Sequence, residues 1–332
     1  MDETMDSPAI SALVKNGYRW KNVSIWFPEN SWGASKLTLA TKFPLLERLD
    51  LYHVKFPMDT NIDAPKLFFL SLCSSRTTLS NENNLREIEI NDYRGSMTHY
   101  DCLSMFRRCL ALEKATIYML YESHCHRDSD RSMVTPTALR HLRIRSGFKN
   151  LQLILDNMTA PALKRLELLT EHNFGAVSLH NLLPFIKRSK CALVSLLLDG
   201  HYSGFDALLN CLERQPHLEQ LSVVDPCLNG ELMNHLVKPS LGHTSHFYIC
   251  PKLTMLAFTP GHVQNPTQIK SLVEVISSRN QNTTGGLRTI VVRQMNMAKA
   301  TELDMGKELR ETPEMAEYMK KGLKVETSWP CN

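Results

Sequence analysis

The stretch Leu163-Lys164-Arg165-Leu166-Glu167-Leu168 decides the fold. It has the form L-x-x-L-x-L, with aliphatic side chains at its first, fourth and sixth places. On an extended chain the fourth and sixth residues point to the same side, because side chains alternate along a strand. The same form returns along the chain, and this return predicts an array of repeats in which each copy packs on its neighbours.

Eleven copies of this phrase can be aligned by their first residue. They start at Trp20, Leu46, Leu67, Leu85, Leu112, Leu139, Leu163, Leu193, Leu218, Leu253 and Leu287. Successive copies start 18 to 35 residues apart, and most intervals are close to the roughly 20–29 residues usual for leucine-rich repeats. The copy at Leu112 is weaker, because Ala115 occupies its fourth place.

The periodicity predicts an α/β fold, a leucine-rich-repeat solenoid of horseshoe form. Parallel strands form its concave sheet, helices or loops return along the convex side, and the first, fourth and sixth places fill the interior. We divide the chain into an N-terminal capping helix (1–19), the solenoid (20–296) and a C-terminal helical cap (297–332). In the cap a second helix starts at Thr312-Pro313, and residues 323–325 add an edge strand. Returning helices are predicted over 101–110, 178–189, 205–214, 230–237 and 267–279.

The composition of the chain limits the classes of function that we expect. The net charge of the 332 residues is +4, too small to indicate nucleic-acid binding by itself. No apolar run reaches the ~18 residues of a membrane helix, and the acidic start lacks the pattern of a signal peptide. Nine cysteines without regular pairing indicate reduced thiols. We therefore expect a cytoplasmic or nuclear protein with no membrane partner.

The candidate chemical groups do not form a recognisable active site. His124, Cys125 and His126 are adjacent, and no second ligand pair follows at metal-binding spacing, which favours an exposed polar loop. Cysteines in apolar helical stretches act as small hydrophobic residues; they are Cys102, Cys109, Cys191 and Cys211. Phosphate-binding glycine loops and nucleophile elbows are absent from the sequence. We expect no enzyme activity, no metal and no cofactor.

Three phrases near the start carry a resemblance to a known family. Residues 18–25 read YRWKNVSI, residues 43–51 read FPLLERLDL, and residues 62–72 read IDAPKLFFLSL. In this order they resemble the C-terminal leucine-rich-repeat region of the F-box proteins expanded in mushroom-forming fungi. The specific phrases cover the first third of the chain, and the rest matches as generic repeats.

This resemblance implies a substrate-recognition arm of a cullin-type ubiquitin ligase. The F-box that docks such an arm on a Skp-type adaptor is a helical module upstream of the "RW" phrase. Only Met1 to Tyr18 precede that phrase, too few for three helices of ordinary ~11-residue length. We therefore expect a monomeric recognition arm that binds the Skp-type adaptor only if an F-box is supplied elsewhere.

The residues between the core positions are the candidates for partner binding, because alternation turns them to the concave face. We select Lys114, Tyr118, His141, Arg143, Arg145, Arg165, Tyr52 and Phe69. The basic residues form a middle band, with Arg165 expected beside His141, that suits an acidic or phosphorylated client protein. The alternatives are an ordinary solvated face and a nucleic-acid site on the same band. The apolar late positions Leu197, Val224 and Met255 are the next candidate.

Overall fold

The computed structural model describes most of the chain in two compact units. The described residues are 15–26, 42–52, 61–73, 78–79, 82–92, 97–119, 132–170, 176–225, 232–237, 249–259, 266–282, 286–293 and 305–328. Unit 1 comprises Met1–Leu163 with Arg188–Lys190, and unit 2 comprises Lys164–Lys187 with Cys191–Asn332. Most of the predicted N-terminal capping helix lies outside the described residues. The predicted loop at His124, Cys125 and His126 lies entirely outside them.

Unit 1 carries a parallel sheet in the order β1-β2-β4-β6-β7-β8. Its elements are β1 Asn22–Trp26, β2 Arg48–Tyr52, β3 Asn61–Ile62, β4 Phe69–Cys73, β5 Thr78–Leu79, β6 Glu87–Asp92, α1 His99–Arg108, β7 Lys114–Met119, β8 His141–Ser146 and α2 Phe148–Asp156. The short strands β3 and β5 pair with each other. Single 3-10 turns lie at Gly17–Arg19 and Glu82–Asn84.

Unit 2 repeats the arrangement in the order β9-β11-β13-β14-β15-β16. Its elements are β9 Arg165–Leu169, β10 Val177–Ser178, α3 Leu182–Ser189, β11 Ser195–Asp199, β12 Tyr202–Ser203, α4 Phe205–Glu213, β13 Gln220–Val224, β14 Met255–Phe258, α5 Pro266–Asn282, β15 Thr289–Arg293, α6 Met305–Glu311, α7 Pro313–Lys320 and β16 Lys324–Ser328. Residues 232–236 are also helical. Helix α7 starts after Thr312 with Pro313 in its first turn, and β16 extends the sheet beyond β15.

The register of both sheets follows the repeat phrase. Fourth places align with fourth places, as Leu49 does with Leu70 and Leu196 with Leu221. At the start of most strands of the two large sheets the second-place carbonyl accepts two N–H groups from the following repeat. Lys21 O, for example, accepts from Glu47 N at 2.8 Å and from Arg48 N at 3.1 Å. This shared acceptor recurs in both units and fixes the register, which confirms the predicted leucine-rich-repeat solenoid.

A tight turn precedes most strands and explains the proline of the early phrases. The first-place N–H donates to the carbonyl three residues earlier, as Leu46 N does to Phe43 O at 3.2 Å and Leu67 N to Ala64 O at 3.0 Å. Proline suits the second position of such a turn because its backbone angle is already set. It occupies that position at Pro44, Pro65, Pro161, Pro216 and Pro251.

The core is the predicted one, with two differences in the helices. The fourth and sixth places are buried from β2 to β15, and the outermost strands β1 and β16 are less covered. Helix α1 begins with a capping box between Thr98 and Asp101 and ends at Arg108. Leu110, which the predicted helix 101–110 includes, therefore lies beyond it and is 59% exposed. Helix α2 was not predicted; it buries Ile154 directly behind β8. No helix in the described part of the chain combines the length and apolar character needed to cross a bilayer.

Candidate functional site

The side of each sheet opposite the core, here called the open face, carries the third, fifth and seventh places of each phrase. Cross-strand register brings residues of equal place together as neighbours about 4.8 Å apart along each row. In unit 1 the third-place row is Asn22, Arg48, Phe69, Glu87, Lys114 and His141; the fifth-place row is Ser24, Asp50, Ser71, Glu89, Thr116 and Arg143; the seventh-place row is Trp26, Tyr52, Cys73, Asn91, Tyr118 and Arg145.

Strand β8 supplies the basic part of this face. Leu142, Ile144 and Ser146 are buried, whereas His141 and Arg143 are half-buried and Arg145 is exposed. All three basic side chains therefore emerge on one side, as the alternation predicts. The Arg143 guanidinium carbon lies 5.6 Å from the centre of the Tyr118 ring on β7, within reach of a cation–π contact.

Two members of the predicted positive band, Lys114 and Arg165, form ion pairs with neighbouring carboxylates. Lys114 is in register with His141, as expected, and its ammonium forms an ion pair with Glu87 on β6. Arg165 donates to Glu167 on its own strand. Arg165 lies in unit 2, so its place beside His141 stays a prediction. Strand β8 carries the other basic members of the predicted band, His141, Arg143 and Arg145.

Phe69 lies on the open face and is closed to a partner, which corrects the prediction for this residue. It is only 4% exposed, because the Arg48 guanidinium from β2 lies 3.5 Å from the centre of its ring. The same guanidinium donates to the Asp50 carboxylate at 3.1 Å. Phe69 therefore contributes to the packing of the sheet surface and presents little of its ring to solvent.

Two aromatic side chains remain accessible at the first strands. Tyr52 is half-buried, and its cross-strand neighbour Trp26 is 67% exposed. Trp26 is not among the residues selected from the sequence for partner binding. Its position at the edge strand, where one neighbour is missing from the described sheet, accounts for its exposure.

The open face of unit 2 is less charged. Leu197, Val224 and Met255 are half-buried, and the small Ala257, two residues after Met255 on the same strand, is 1% exposed. One ion pair, Arg293 to Asp199 at 3.9 Å, lies at the edge of this apolar area.

Burial disfavours the thiolate form of the cysteines in the described residues. Cys102, Cys109, Cys191 and Cys211 are all buried, as predicted for small hydrophobic residues. Burial raises the pKa of Cys109 to about 12 and that of Cys191 to about 11, so these thiols stay protonated at neutral pH. Within the described ranges, no three His, Cys, Asp or Glu side chains are arranged to hold a metal ion.

The alignment of the repeats could have predicted the cross-strand contacts of Lys114 and Phe69, which were not predicted. Third places of successive copies are cross-strand neighbours, so alignment of the copies at Leu85 and Leu112 sets Glu87 beside Lys114. The copies at Leu46 and Leu67 set Arg48 beside Phe69 in the same way. Pairing across repeats therefore sets the surroundings of each candidate side chain.

Comparison with known proteins adds little to this geometry. No known protein family matches the sequence, and no curated protein matches it. Among solved structures, the chain is similar to one in the crystal structure of a TLR13–ssRNA13 complex, with 14% sequence identity and a TM-score of 0.36. The alignment covers 82% of this chain and 38% of that one. The fold assignment rests on the repeat register and the core described above.

Proposed function

We propose that this chain is a non-enzymatic repeat module that binds a client protein through the open face of unit 1. The observation that supports this most directly is the basic strand β8, whose Arg143 lies near the Tyr118 ring and whose Arg145 is in register with Tyr118. Repeat arrays of this kind use one face of the sheet as an extended binding surface. Guanidinium groups bind carboxylates and phosphates with two parallel hydrogen bonds. The client segment is therefore acidic or phosphorylated.

The biological role that fits such a module is substrate recognition for a cullin-type ubiquitin ligase. The support for it is the resemblance of the early phrases to fungal F-box proteins. Pro44 and Pro65 in these phrases form the turns before β2 and β4, so the shared residues serve the fold of the arm. A Skp-type adaptor would join the assembly only through an F-box.

Nucleic-acid binding is the second candidate, favoured by the aromatic and basic pair Tyr118 and Arg143. Single strands bind to such pairs by stacking and phosphate contacts. The acidic residues Glu87 and Glu89, two strands from β8, oppose a phosphate backbone that crosses the same face. A salt titration with a 20-nucleotide uridine strand separates the two candidates, because phosphate contacts make the affinity fall steeply with salt.

Client capture by the full chain tests the proposal. The test variant carries Arg143→Ser and Arg145→Ser. Arg165 is left in place, because its partner Glu167 is only 2% exposed and would keep a buried charge without it. The control variant carries Arg86→Ser and Arg140→Ser, which removes the same charge from exposed second-place residues.

Captured proteins are quantified by mass spectrometry from an extract of the source organism, and binding is repeated with the purified client. We expect the test variant to retain at least tenfold less client than the wild type, and the control variant to retain all of it. Equal retention by both variants, with unchanged thermal unfolding, would show that β8 is an ordinary solvated strand.

A further inference from the structure

A buried hydroxyl without a hydrogen-bond partner lies on the open face of unit 1. Ser71 is the fifth-place residue of β4, and its side chain points away from the core, because its neighbours Leu70 and Leu72 are core residues. Ser71 is 1% exposed, and its Oγ has no hydrogen-bond partner among the described residues. Such a hydroxyl has lost its contacts with water without a replacement, which is unfavourable. A ligand that supplies the missing hydrogen bond would therefore be stabilised at this position.

Two carboxylates flank Ser71 in the same row of the sheet. The register pairs Ser71 with Asp50 on β2 and with Glu89 on β6, so the backbone of each lies about 4.8 Å from that of Ser71. Asp50 and Glu89 are both half-buried. All three side chains leave the sheet on the open face. Their polar ends therefore form one short line across the three strands, here called the acidic slot.

The two carboxylates of the acidic slot differ in their partners. Asp50 accepts two hydrogen bonds from the Arg48 guanidinium, at 3.1 Å and 3.3 Å, which offset its charge. Glu89 accepts a hydrogen bond from the uncharged amide of Asn91 at 3.3 Å. In the described part of the chain Glu89 forms no ion pair. The slot therefore keeps the negative charge of Glu89 beside the unpartnered hydroxyl.

The cations nearest to the slot are engaged elsewhere or lie further away. Lys114 forms an ion pair with Glu87 in the third-place row. Arg48 lies over an aromatic ring of that same row, 3.5 Å from its centre. Arg143, the next cation of the fifth-place row, is two strands away from Glu89. The charge of the slot is thus suited to a cation from another molecule.

We infer that the acidic slot binds a primary ammonium group, the head group of a lysine side chain on a partner protein. An ammonium has three donors and no acceptor, and the slot offers three acceptors in Asp50, Ser71 and Glu89. Hydrogen bonds between an ammonium and carboxylates are charge-assisted and strong. The ammonium enters between Asp50 and Glu89, which are both partly exposed, and donates to the hydroxyl of Ser71. The slot contains no residue of β8, so this inference goes beyond the proposed function and is independent of it.

The hydrogen bonds already present favour an ammonium over other cations. A guanidinium binds best to a carboxylate with two free oxygens, through two parallel hydrogen bonds. Both oxygens of Asp50 already accept from Arg48, and one oxygen of Glu89 already accepts from Asn91. A calcium ion takes six to eight oxygen ligands, more than three side chains of the slot supply. A compact group with three donors matches the acceptors that remain.

Three blocked tripeptides test the inference on the full isotope-labelled chain by NMR. They are acetyl-Gly-Lys-Gly-amide, the same peptide with an Nε-acetylated lysine, and acetyl-Gly-Arg-Gly-amide. The backbone amide signals of Ser71 and Glu89 report binding. We expect the lysine peptide to shift both signals until they saturate in the millimolar range. It should bind at least tenfold more tightly than either of the other peptides.

Two single variants and a matched control assign the binding to the slot. Glu89→Gln removes the charge and Ser71→Ala removes the hydroxyl, and each should weaken binding of the lysine peptide at least fivefold. Ser71→Ala should keep or raise the thermal unfolding midpoint, because the hydroxyl has no partner in the free protein. The control Glu113→Gln removes the same charge from an exposed ion pair with Arg86. It should leave the affinity within twofold of the wild type.

Several outcomes would overturn the inference. Equal affinities for the lysine and acetyl-lysine peptides would show that the slot does not recognise an ammonium. The absence of a saturable shift at Ser71 and Glu89 up to tens of millimolar peptide would reject the site. The same shifts with calcium chloride in the millimolar range would assign the slot to a metal ion. Unchanged affinity in the folded Ser71→Ala variant would contradict the role of the hydroxyl.

Discussion

The side chain of Gln215 forms two hydrogen bonds to the turn before Leu193, the first residue of the preceding repeat. Its Oε1 accepts the Leu193 N–H at 2.8 Å, and its Nε2 donates to the Cys191 carbonyl at 3.2 Å. Most first-place residues instead donate to the carbonyl three residues earlier, as Leu218 N does to Gln215 O. Before Leu193 the chain passes through Lys190 with a positive φ of 48°. A buried side chain from the following repeat thus supplies the hydrogen bonds of the turn.

Replacement of Gln215 by Leu should therefore destabilise unit 2. The substitution leaves the N–H of Leu193 and the carbonyl of Cys191 buried without this partner, and each such group costs ~1–3 kcal/mol. We expect the free energy of unfolding, from urea titration, to fall by about 2 kcal/mol or more. Gln220→Leu, the same change at a half-buried open-face position, should cost less than ~0.5 kcal/mol. Equal costs would contradict the role of Gln215.

The fourth-place Leu166 should be a core residue in energetic terms. It is fully buried and in register with Leu196. Leu166→Ala should lower the free energy of unfolding by roughly 2–5 kcal/mol, the range for a leucine cavity. The control Leu197→Ala removes the same atoms from a half-buried position on the open face of β11. It should lower the free energy of unfolding by clearly less. A loss below about 1 kcal/mol at Leu166 would show that the repeat phase is wrong.

The sequence was informative where the determinants of structure are local. Strand phase follows from leucine spacing, so the copies at Leu46 and Leu253 could be placed without a structure. Helix α4 was predicted to within one residue, because Gly204 and a regular apolar pattern bound it. Helix α2 was missed since it starts immediately after Gly147 and β8, where no loop separates the elements.

The candidate site was harder to predict, because side-chain partners come from neighbouring repeats. The repeat alignment places Arg165 beside His141, but the same alignment is not applied to the other side of Lys114, whose charge enters the predicted band. Its cross-strand neighbour Glu87 offsets that charge. Phe69 counted as an exposed ring, and Arg48 covers it. The open face must be analysed as rows across strands, and only the register of all copies together gives those rows.

His99 should make the stability depend on pH. It is buried at the start of α1, and desolvation lowers its pKa below the ordinary 6.5, against smaller raising effects of the Asn150 hydrogen bond and the Asp101 charge. The unfolded chain therefore binds the proton more readily than the folded one. The contribution of His99 to stability is fully present above the unfolded pKa and is lost as the pH falls towards the folded pKa.

Urea titrations of the wild type and of His99→Gln at pH 7.5 and pH 5.5 measure this contribution. The wild type should lose more stability than the variant between the two pH values, because glutamine does not titrate. In the same range the His99 ring proton, followed by NMR, should titrate with a midpoint below ~6.5. Parallel stability losses in the two proteins would assign the pH dependence to other groups.

The contact of Arg48 with Phe69 should stabilise the fold at high salt as well as at low salt. Arg48 lies over the ring at 3.5 Å and also pairs with Asp50 at 3.1 Å. The ion pair is half exposed at its arginine end, so it contributes ~0–1 kcal/mol and weakens as salt rises. The cation–π contact and the packing of the arginine stem on the ring depend less on salt. Arg48→Ala should therefore cost about 1 kcal/mol, most of which persists in 1 M NaCl.

A double-mutant cycle with Phe69→Leu isolates the contact, because leucine keeps the site apolar and removes the ring. We expect a coupling energy of ~0.5–1 kcal/mol between positions 48 and 69 at low and at high salt. Arg86→Ala is the matched control, since Arg86 forms an exposed ion pair with Glu113 at 3.5 Å and its smaller loss should disappear at high salt. Loss of the Arg48 coupling in 1 M NaCl would show that the ion pair with Asp50, and not the ring, holds the guanidinium over Phe69.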